Sequence, residues 1–251
     1  SWPYVALTLQ AMEDYGVIVQ TETVVAGDWA PCDWRTITKV VPDETRFRIA
    51  PKSYQSGMRR VEGDWSNASY FLAAGSVGTR PVTIKGLRKN SLQGDKAMLD
   101  IVTSMGAKHV WNGDDLTITP SDLHGVEVDM SDCPDIVPSV AITAAFAKGP
   151  TTVTNVGHLR IKECDRLAVV AEHLERAGVG VKLTEDSIRV EPVDMSSLAG
   201  KEINFKAHND HRMAMCASIL EFAGIRVNID DPSCVKKSFP DFWDRWATVR
   251  P

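Results

Sequence analysis

The same succession of segments recurs along this chain, and that recurrence constrains its fold more than any single motif does. The first half of the pattern is a helix rich in small residues, then a glycine, then a β-prone stretch. Residues 67–75 lead through Gly78 to 82–86, residues 139–147 through Gly149 to 152–156, and residues 212–220 through Gly224 to 227–230. The second half is an amphipathic helix that stops at glycine before a strand. Residues 95–105 precede Gly106 and 109–111, residues 163–177 precede Gly178 and 181–183, and residues 4–15 precede Gly16 and 17–19. Glycine just past a helix is the expected C′ residue, because it takes a left-handed backbone without steric cost. Hairpins follow two of these helices: 108–111 with 116–119, and 181–184 with 187–190. The pattern predicts β-α-β-α-β-β units. Two copies are good, a third is cut short by the C-terminus, and a partial one stands at the start. Repeated α/β units of this kind bury their small-residue helices against one another. The predicted fold class is therefore α/β, with the units packed around a shared helical core.

Residues 24–60, with Pro31, Pro42, Pro51 and Gly57, are predicted to be irregular, and a boundary is expected near 59–64. This divides the chain into 1–61 and 62–251. The chain opens Ser1-Trp2-Pro3-Tyr4 without an initiator methionine, which suggests a start inside a longer protein.

Composition excludes several function classes. The net charge of −5 argues against nucleic acid as the main partner, so any anion site must be a local basic patch on an acidic body. Five scattered cysteines without a C-x-x-C pair fit a reducing compartment, and a cytoplasmic location is expected. No apolar run reaches the roughly 20 residues of a membrane span, and no signal peptide is visible. The phosphate loops G-x-x-x-x-G-K-[ST] and G-x-G-x-x-G, the zinc motif H-E-x-x-H and the nucleophile elbow G-x-S-x-G are all missing. His208 and His211 have no further ligand-like neighbours in sequence.

Charge is instead gathered in three knots: residues 158–166, residues 209–212, and Lys236-Lys237 before Phe239-Pro240. On a helix, Lys162 and Arg166 are i,i+4 neighbours, with Glu163 about 100° round from Lys162. Two cations flanking an acid suit an anionic substrate that also needs a proton moved; taken in isolation, the cluster reads first as a solvated helix start. Arg212 is placed at the mouth of a mostly apolar helix, and Lys237 also fits a surface lysine. Asp64, Asp135 and Asp210 each precede a first-half helix, where an acid is an ordinary N-cap. If the repeats are equivalent in space, these helix N-termini point the same way and offer donors to phosphate or carboxylate.

Several strings in this chain resemble the C-terminal portion of the 5-enolpyruvylshikimate-3-phosphate (EPSP) synthase family. They are Ser1-x-Pro3-Tyr4, Val61-Glu-Gly-Asp-Trp-Ser-Asn-Ala-Ser-Tyr-Phe-Leu-Ala-Ala74, Asn90-Ser-Leu-Gln-Gly-Asp95, Met105-Gly-Ala107, Pro134-Asp135, Arg160-Ile-Lys-Glu-Cys-Asp-Arg166, Asn209-Asp-His-Arg-Met-Ala-Met215 and Asp231-Pro-Ser-Cys-Val-Lys-Lys-Ser-Phe-Pro-Asp241. The resemblance implies an inside-out α/β barrel of the enolpyruvyl transferase type, with 1–61 the tail of an N-terminal domain and 62–251 the C-terminal domain. It implies transfer of the enolpyruvyl group from phosphoenolpyruvate to the 5-hydroxyl of shikimate 3-phosphate, with loss of phosphate and with no metal or organic cofactor. The related UDP-N-acetylglucosamine enolpyruvyl transferase is the alternative, against which the Lys-Glu-x-Asp-Arg string argues; a non-catalytic anion-binding or partner-binding fragment is a third reading. By the same resemblance, Asp135 and Glu163 are the acid/base carboxylates, and Lys162 is a phosphate ligand and proton-transfer partner. Arg166, Arg212 and Lys237 hold phosphoenolpyruvate, and Ser1 and Tyr4 contact shikimate 3-phosphate. His158 stands where the family usually has Asn. The family's chain is longer, so the N-terminal segment, in the same protein or as a second chain, is an expected partner needed for activity; nucleic acid and membrane are not expected partners.

Overall fold

The computed structural model describes residues 2–251. The chain divides into two compact units, one comprising Ser1–Val61 with Asn90–Gly94 and the other Glu62–Lys89 with Asp95–Pro251.

In the smaller unit, α1 (Trp2–Asp14) precedes β1 (Val19–Val25), β2 (Asp28–Cys32) and β3 (Thr45–Ile49), with sheet order β2-β1-β3. Its core is slight: Ala6, Leu9, Val19 and Trp34. The predicted irregularity of 24–60 is corrected here, because β2 and β3 both fall inside that range. Pro31 is tolerated because β2 is an edge strand, where a missing backbone N–H costs no ladder bond. On β3, Arg46 and Arg48 lie two residues apart on one face, and both donate to Glu22 of β1.

The larger unit contains the repeats. One copy is complete: β7 (Glu127–Asp129), α4 (Val137–Ala144), β8 (Thr151–Thr154), α5 (Arg166–Ala177), β9 (Gly180–Leu183) and β10 (Ile188–Glu191). Its sheet order is β7-β8-β10-β9, with β7 parallel to β8 and the other pairs antiparallel. A second copy begins at its helix: α2 (Trp65–Val77), β4 (Val82–Ile84), α3 (Ala97–Ser104), β5 (Lys108–Asn112) and β6 (Asp115–Thr119). Its order, β4-β6-β5, repeats the last three places of the complete sheet. The third copy is β11 (Glu202–Phe205), α6 (His211–Ala217) and β12 (Arg226–Ile229), with β11 parallel to β12 as β7 is to β8. The chain then closes with α7 (Phe242–Trp246). Sequence pattern did not place β7 or β11; Glu127-Val-Asp129 is too short to show an alternation.

Small residues decide the packing. All eight residues of α4 are buried, and α4 packs against both α2 and α6. Between α2 and α4 the Ser69 and Ser139 hydroxyls approach to 3.1 Å. Gly75 of α2 sits so close to β6 that a Cβ there would lie 2.3 Å from Ile118 Cγ2. Gly178 ends α5 at φ 93°, and its N–H returns to Glu175 O.

Candidate active site

Two consecutive residues with left-handed backbone, His208 (φ 53°) and Asn209 (φ 54°), turn the chain sharply before Asp210. Asp210 then caps α6, its Oδ1 accepting from Arg212 N at 2.9 Å. Its side chain is fully buried, and its other oxygen accepts from Arg166 Nε at 2.7 Å. Asp210 thus does two things, while the sequence suggested only capping.

Arg166 is the hub, with 2% of its side chain exposed. Its Nη1 donates to Asp135 Oδ1 at 2.9 Å and its Nη2 to Glu163 Oε2 at 2.6 Å. Burial works against its charge, but Asp210 outweighs that and raises its pKa. A buried guanidinium satisfied on three sides by carboxylates is a rigid, charge-assisted anchor.

Asp135 is not a helix cap. The residue before α4 is Ile136, which makes no side-chain cap bond. Asp135 instead bridges two arginines, also accepting from Arg212 Nη2 at 2.9 Å. Glu163 likewise bridges two cations, since Lys237 Nζ donates to its Oε1 at 2.8 Å. Burial pushes the Glu163 carboxyl up, but the Lys237 hydrogen bond and the Arg166 charge win and hold it at about 2. It is therefore ionised, and unable to donate a proton while both cations keep it.

The expectation that Lys162 and Arg166 share a helix face fails. Asp165 accepts from Ala168 N and starts α5 at Arg166, so Lys162 and Glu163 lie before the helix in extended and turn conformations. Lys162 follows the 3-10 turn Gly157–Ile161 and is exposed. His158, in that turn, is pushed down by burial and by the Lys162 charge. Its Nε2 is buried without a hydrogen-bond partner.

The larger unit thus gathers Asp135, Glu163, Arg166, Arg212 and Lys237 in one ion-pair network, with Lys162 and His158 beside it. Tyr4 is in α1 of the smaller unit and is 41% exposed. Ser1 lies outside the described residues.

Sequence reasoning missed two acids. Asp210 had the signal of an acid before Arg212, read only as a cap. Asp95 lies in the quoted Gly94-Asp95 string before an apolar helix, yet it does not cap α3 and is buried. Its Oδ2 accepts from Ser66 Oγ. Burial pushes this carboxyl up to about 6, against the Ser66 bond and the Arg212 charge. The N-terminal ends of α2, α4 and α6 therefore meet: Asp135 bonds Arg212, and Asp95, held by Ser66, is within electrostatic reach of both.

Three cations, Arg166, Arg212 and Lys237, are thus paired with three carboxylates, Asp135, Glu163 and Asp210, with Asp95 alongside. Such an arrangement can bind an acidic ligand by exchange, in which the ligand takes over Arg and Lys donors and the displaced carboxylates gain basicity. Among the described residues no group of three or more His, Cys, Asp or Glu side chains is arranged to hold a metal ion. Among the same residues, no helix is long and apolar enough to cross a membrane.

Comparison with known proteins bears on this geometry. Residues 37–246 match the family described as EPSP synthase (3-phosphoshikimate 1-carboxyvinyltransferase). The 3-phosphoshikimate 1-carboxyvinyltransferase of Haemophilus influenzae (strain PittGG) is 36% identical over 99% of this chain, and that of Edwardsiella ictaluri (strain 93-146) is 37% identical over 99%. The chain spans 53% of the length of each of these two relatives. Among solved structures, an EPSP synthase from Acinetobacter baumannii superposes with a TM-score of 0.68 at 25% identity, covering 84% of this chain and 51% of that one. The enolpyruvyl transferase NikO from Streptomyces tendae superposes with a TM-score of 0.65 at 16% identity over 98% of this chain and 53% of that one, a likeness of fold.

Proposed function

This chain belongs to the EPSP synthase (3-phosphoshikimate 1-carboxyvinyltransferase) family, and from that premise we propose that it supplies the C-terminal part of a site that moves an enolpyruvyl group from phosphoenolpyruvate to the 5-hydroxyl of shikimate 3-phosphate. The observation that carries this reading is the pairing of Asp135 and Glu163, two carboxylates each bridged by two of the cations Arg166, Arg212 and Lys237.

The chemistry requires a proton taken from the attacking hydroxyl, a proton delivered to the vinyl carbon, and phosphate expelled from a crowded anionic intermediate. Asp135 is the base for the hydroxyl and Glu163 the acid/base for the vinyl carbon. Glu163 is ionised at rest because Lys237 and Arg166 hold it. When the phosphate and carboxylate of phosphoenolpyruvate recruit those cations, Glu163 loses its stabilising partners and its affinity for a proton rises. Substrate binding thereby readies the acid. Arg166, Arg212 and Lys237 then steady the developing anion and the leaving phosphate. Lys162 reaches the acceptor's phosphate and aids proton transfer, His158 lies against the acceptor, and Ser1 and Tyr4 contact its phosphate.

The same reading takes the repeated units as an inside-out α/β barrel, with residues 1–61 the tail of a preceding domain, in a cytoplasmic enzyme. Because the chain spans only 53% of these relatives, the remaining half of the site comes from a segment equivalent to their N-terminal portion. The UDP-N-acetylglucosamine transferase alternative is not favoured by the relatives' names.

Phosphate release from phosphoenolpyruvate and shikimate 3-phosphate tests this, with the chain alone and then with a polypeptide equivalent to the relatives' N-terminal half. The expected result is turnover only in the mixture. Full turnover by the chain alone sinks the need for a second segment; neither turnover nor shikimate 3-phosphate binding in the mixture sinks the reading itself.

A further inference from the structure

Arg212 has a second acidic neighbour besides Asp135. Asp95 is 3% exposed in the 3-10 turn Gly94–Lys96, and its Oδ1 is buried with no hydrogen-bond partner. Arg212 Nε and Tyr70 Oη are buried as well, and these two side chains interact with each other. Arg212 is common to them: Tyr70, Asp135 and Asp95 are the acidic groups that raise its pKa. Packing alone does not explain a buried carboxyl oxygen left with unspent bonding capacity, because an unmade bond costs the desolvation of its group.

We propose that Asp95 is a positioning residue for Arg212, sharing that guanidinium with Asp135 and so setting how much of its charge is left for an incoming anion. Arg212 Nη2 is spent on Asp135, and Asp95 is a further counter-charge to the same side chain. When an anion takes the Nη atoms and releases Asp135, Asp95 remains as the counter-charge that keeps Arg212 in place. Ionised Asp95 offsets part of the cation; protonated Asp95 leaves the full charge for the ligand.

The groups facing Asp95 come from four elements. Asp64 and Ser66 are the cap and first turn of α2, Cys133 and Asp135 belong to the turn before α4, Arg212 to α6, and Lys96 to Asp95's own turn. Cys133 is pushed up to about 12 by burial and stays neutral, as does the buried Tyr70 phenol, and Arg212 stays charged. Beside Arg212, His211 is pushed down by burial and by the Arg212 charge. Burial sets the Asp95 carboxyl to about 6, so its charge changes close to neutral pH.

The proposal rests on the cleft being an anion site and not on its being catalytic, so the test uses sulfate, whose charge is constant across the range. Calorimetric titration of the wild type at fixed ionic strength should find sulfate affinity falling roughly 10-fold from pH 5 to pH 8. Asp95→Asn, which keeps the shape, should bind at pH 8 as the wild type does at pH 5, with that fall abolished. Ser66→Ala removes the bond that favours ionised Asp95 and should shift the midpoint of the fall to higher pH. A fall that persists unchanged in Asp95→Asn overturns the proposal, and so does a wild type that binds no sulfate. If Asp95→Asn does not fold, an unshifted midpoint in Ser66→Ala overturns it equally. Sulfate binding with the expected pH dependence, but no turnover in the mixed assay, would sink the enzymatic reading and leave this one standing.

Discussion

The charged network has a buried floor and an exposed rim, and they hold the same residue types in opposite condition. On the floor Asp210 is fully buried against an Arg166 that is 2% exposed, and Asp95 is buried with one oxygen unpaired. On the rim Lys237 keeps 56% of its side chain in solvent while bonding Glu163. Two carboxyls in this cleft are driven apart by environment alone. Glu163, with two cations in contact, is held at about 2; Asp95, buried with a hydroxyl and a more distant guanidinium, is pushed up to about 6. Groups on the floor are costly to disturb and fix the architecture, whereas those on the rim exchange partners cheaply, as ligand exchange requires.

Breaking the floor should have the largest effect. Asp210→Ala strands buried Arg166 and removes the α6 cap, so urea unfolding should find a loss of about 3–5 kcal/mol. A loss under about 1 kcal/mol would erase the distinction between floor and rim. Asp95→Asn should act in the other direction and depend on pH. Its folded pKa lies above its unfolded one, so the ionisation penalty is absent below the unfolded value and is felt as pH rises through about 6. The variant should gain on the order of 2–3 kcal/mol over the wild type between pH 4 and pH 8; equal stability curves would place the charge in solvent. Glu163→Gln tests the rim. The folded pKa is depressed, so its stabilisation is present above the unfolded value near 4.5 and lost as pH falls through about 2. With solvent screening, the cost at pH 7 should be about 1 kcal/mol, whereas turnover of the assembled enzyme should fall roughly 10²–10⁴-fold. Lys237→Ala should cost the least stability, under about 0.5 kcal/mol, while carbon-detected NMR titration should find the Glu163 carboxyl titrating at higher pH. An unmoved Glu163 would mean that Arg166 alone holds it.

Much of the fold was legible in the sequence because it is carried by local signals. Glycine after amphipathic helices, paired β-prone runs and small-residue helices mark α2 to α6 and both hairpins of the larger unit. The strands β7 and β11 were not legible, being too short to show a period, and β2 and β3 were hidden by prolines that an edge strand tolerates. Of the site, Glu163, Arg166 and Lys237 were singled out and are in contact, and Arg212 joins them through Asp135, which was singled out and does not cap. The shared helix face of Lys162 and Arg166 was a wrong expectation, because a capping Asp165 begins the helix one residue before Arg166. Asp95 escaped notice because the pattern places it at the start of the amphipathic helix 95–105, where nothing local signals burial beside α2 and α6.

By itself the sequence determined the repeat, the α/β class and which charged strings matter, since hydrophobic period, glycine position and short motifs are all written within about 20 residues. Only the tertiary structure decided which carboxylate meets which cation. Asp135, Arg166 and Arg212 are 31 and 77 positions apart along the chain from Asp135, and their bonds exist because buried small-residue helices bring three N-terminal ends together. The depth of each group below the surface, which separates Glu163 from Asp95, is likewise a property of the packed assembly and not of any stretch of chain.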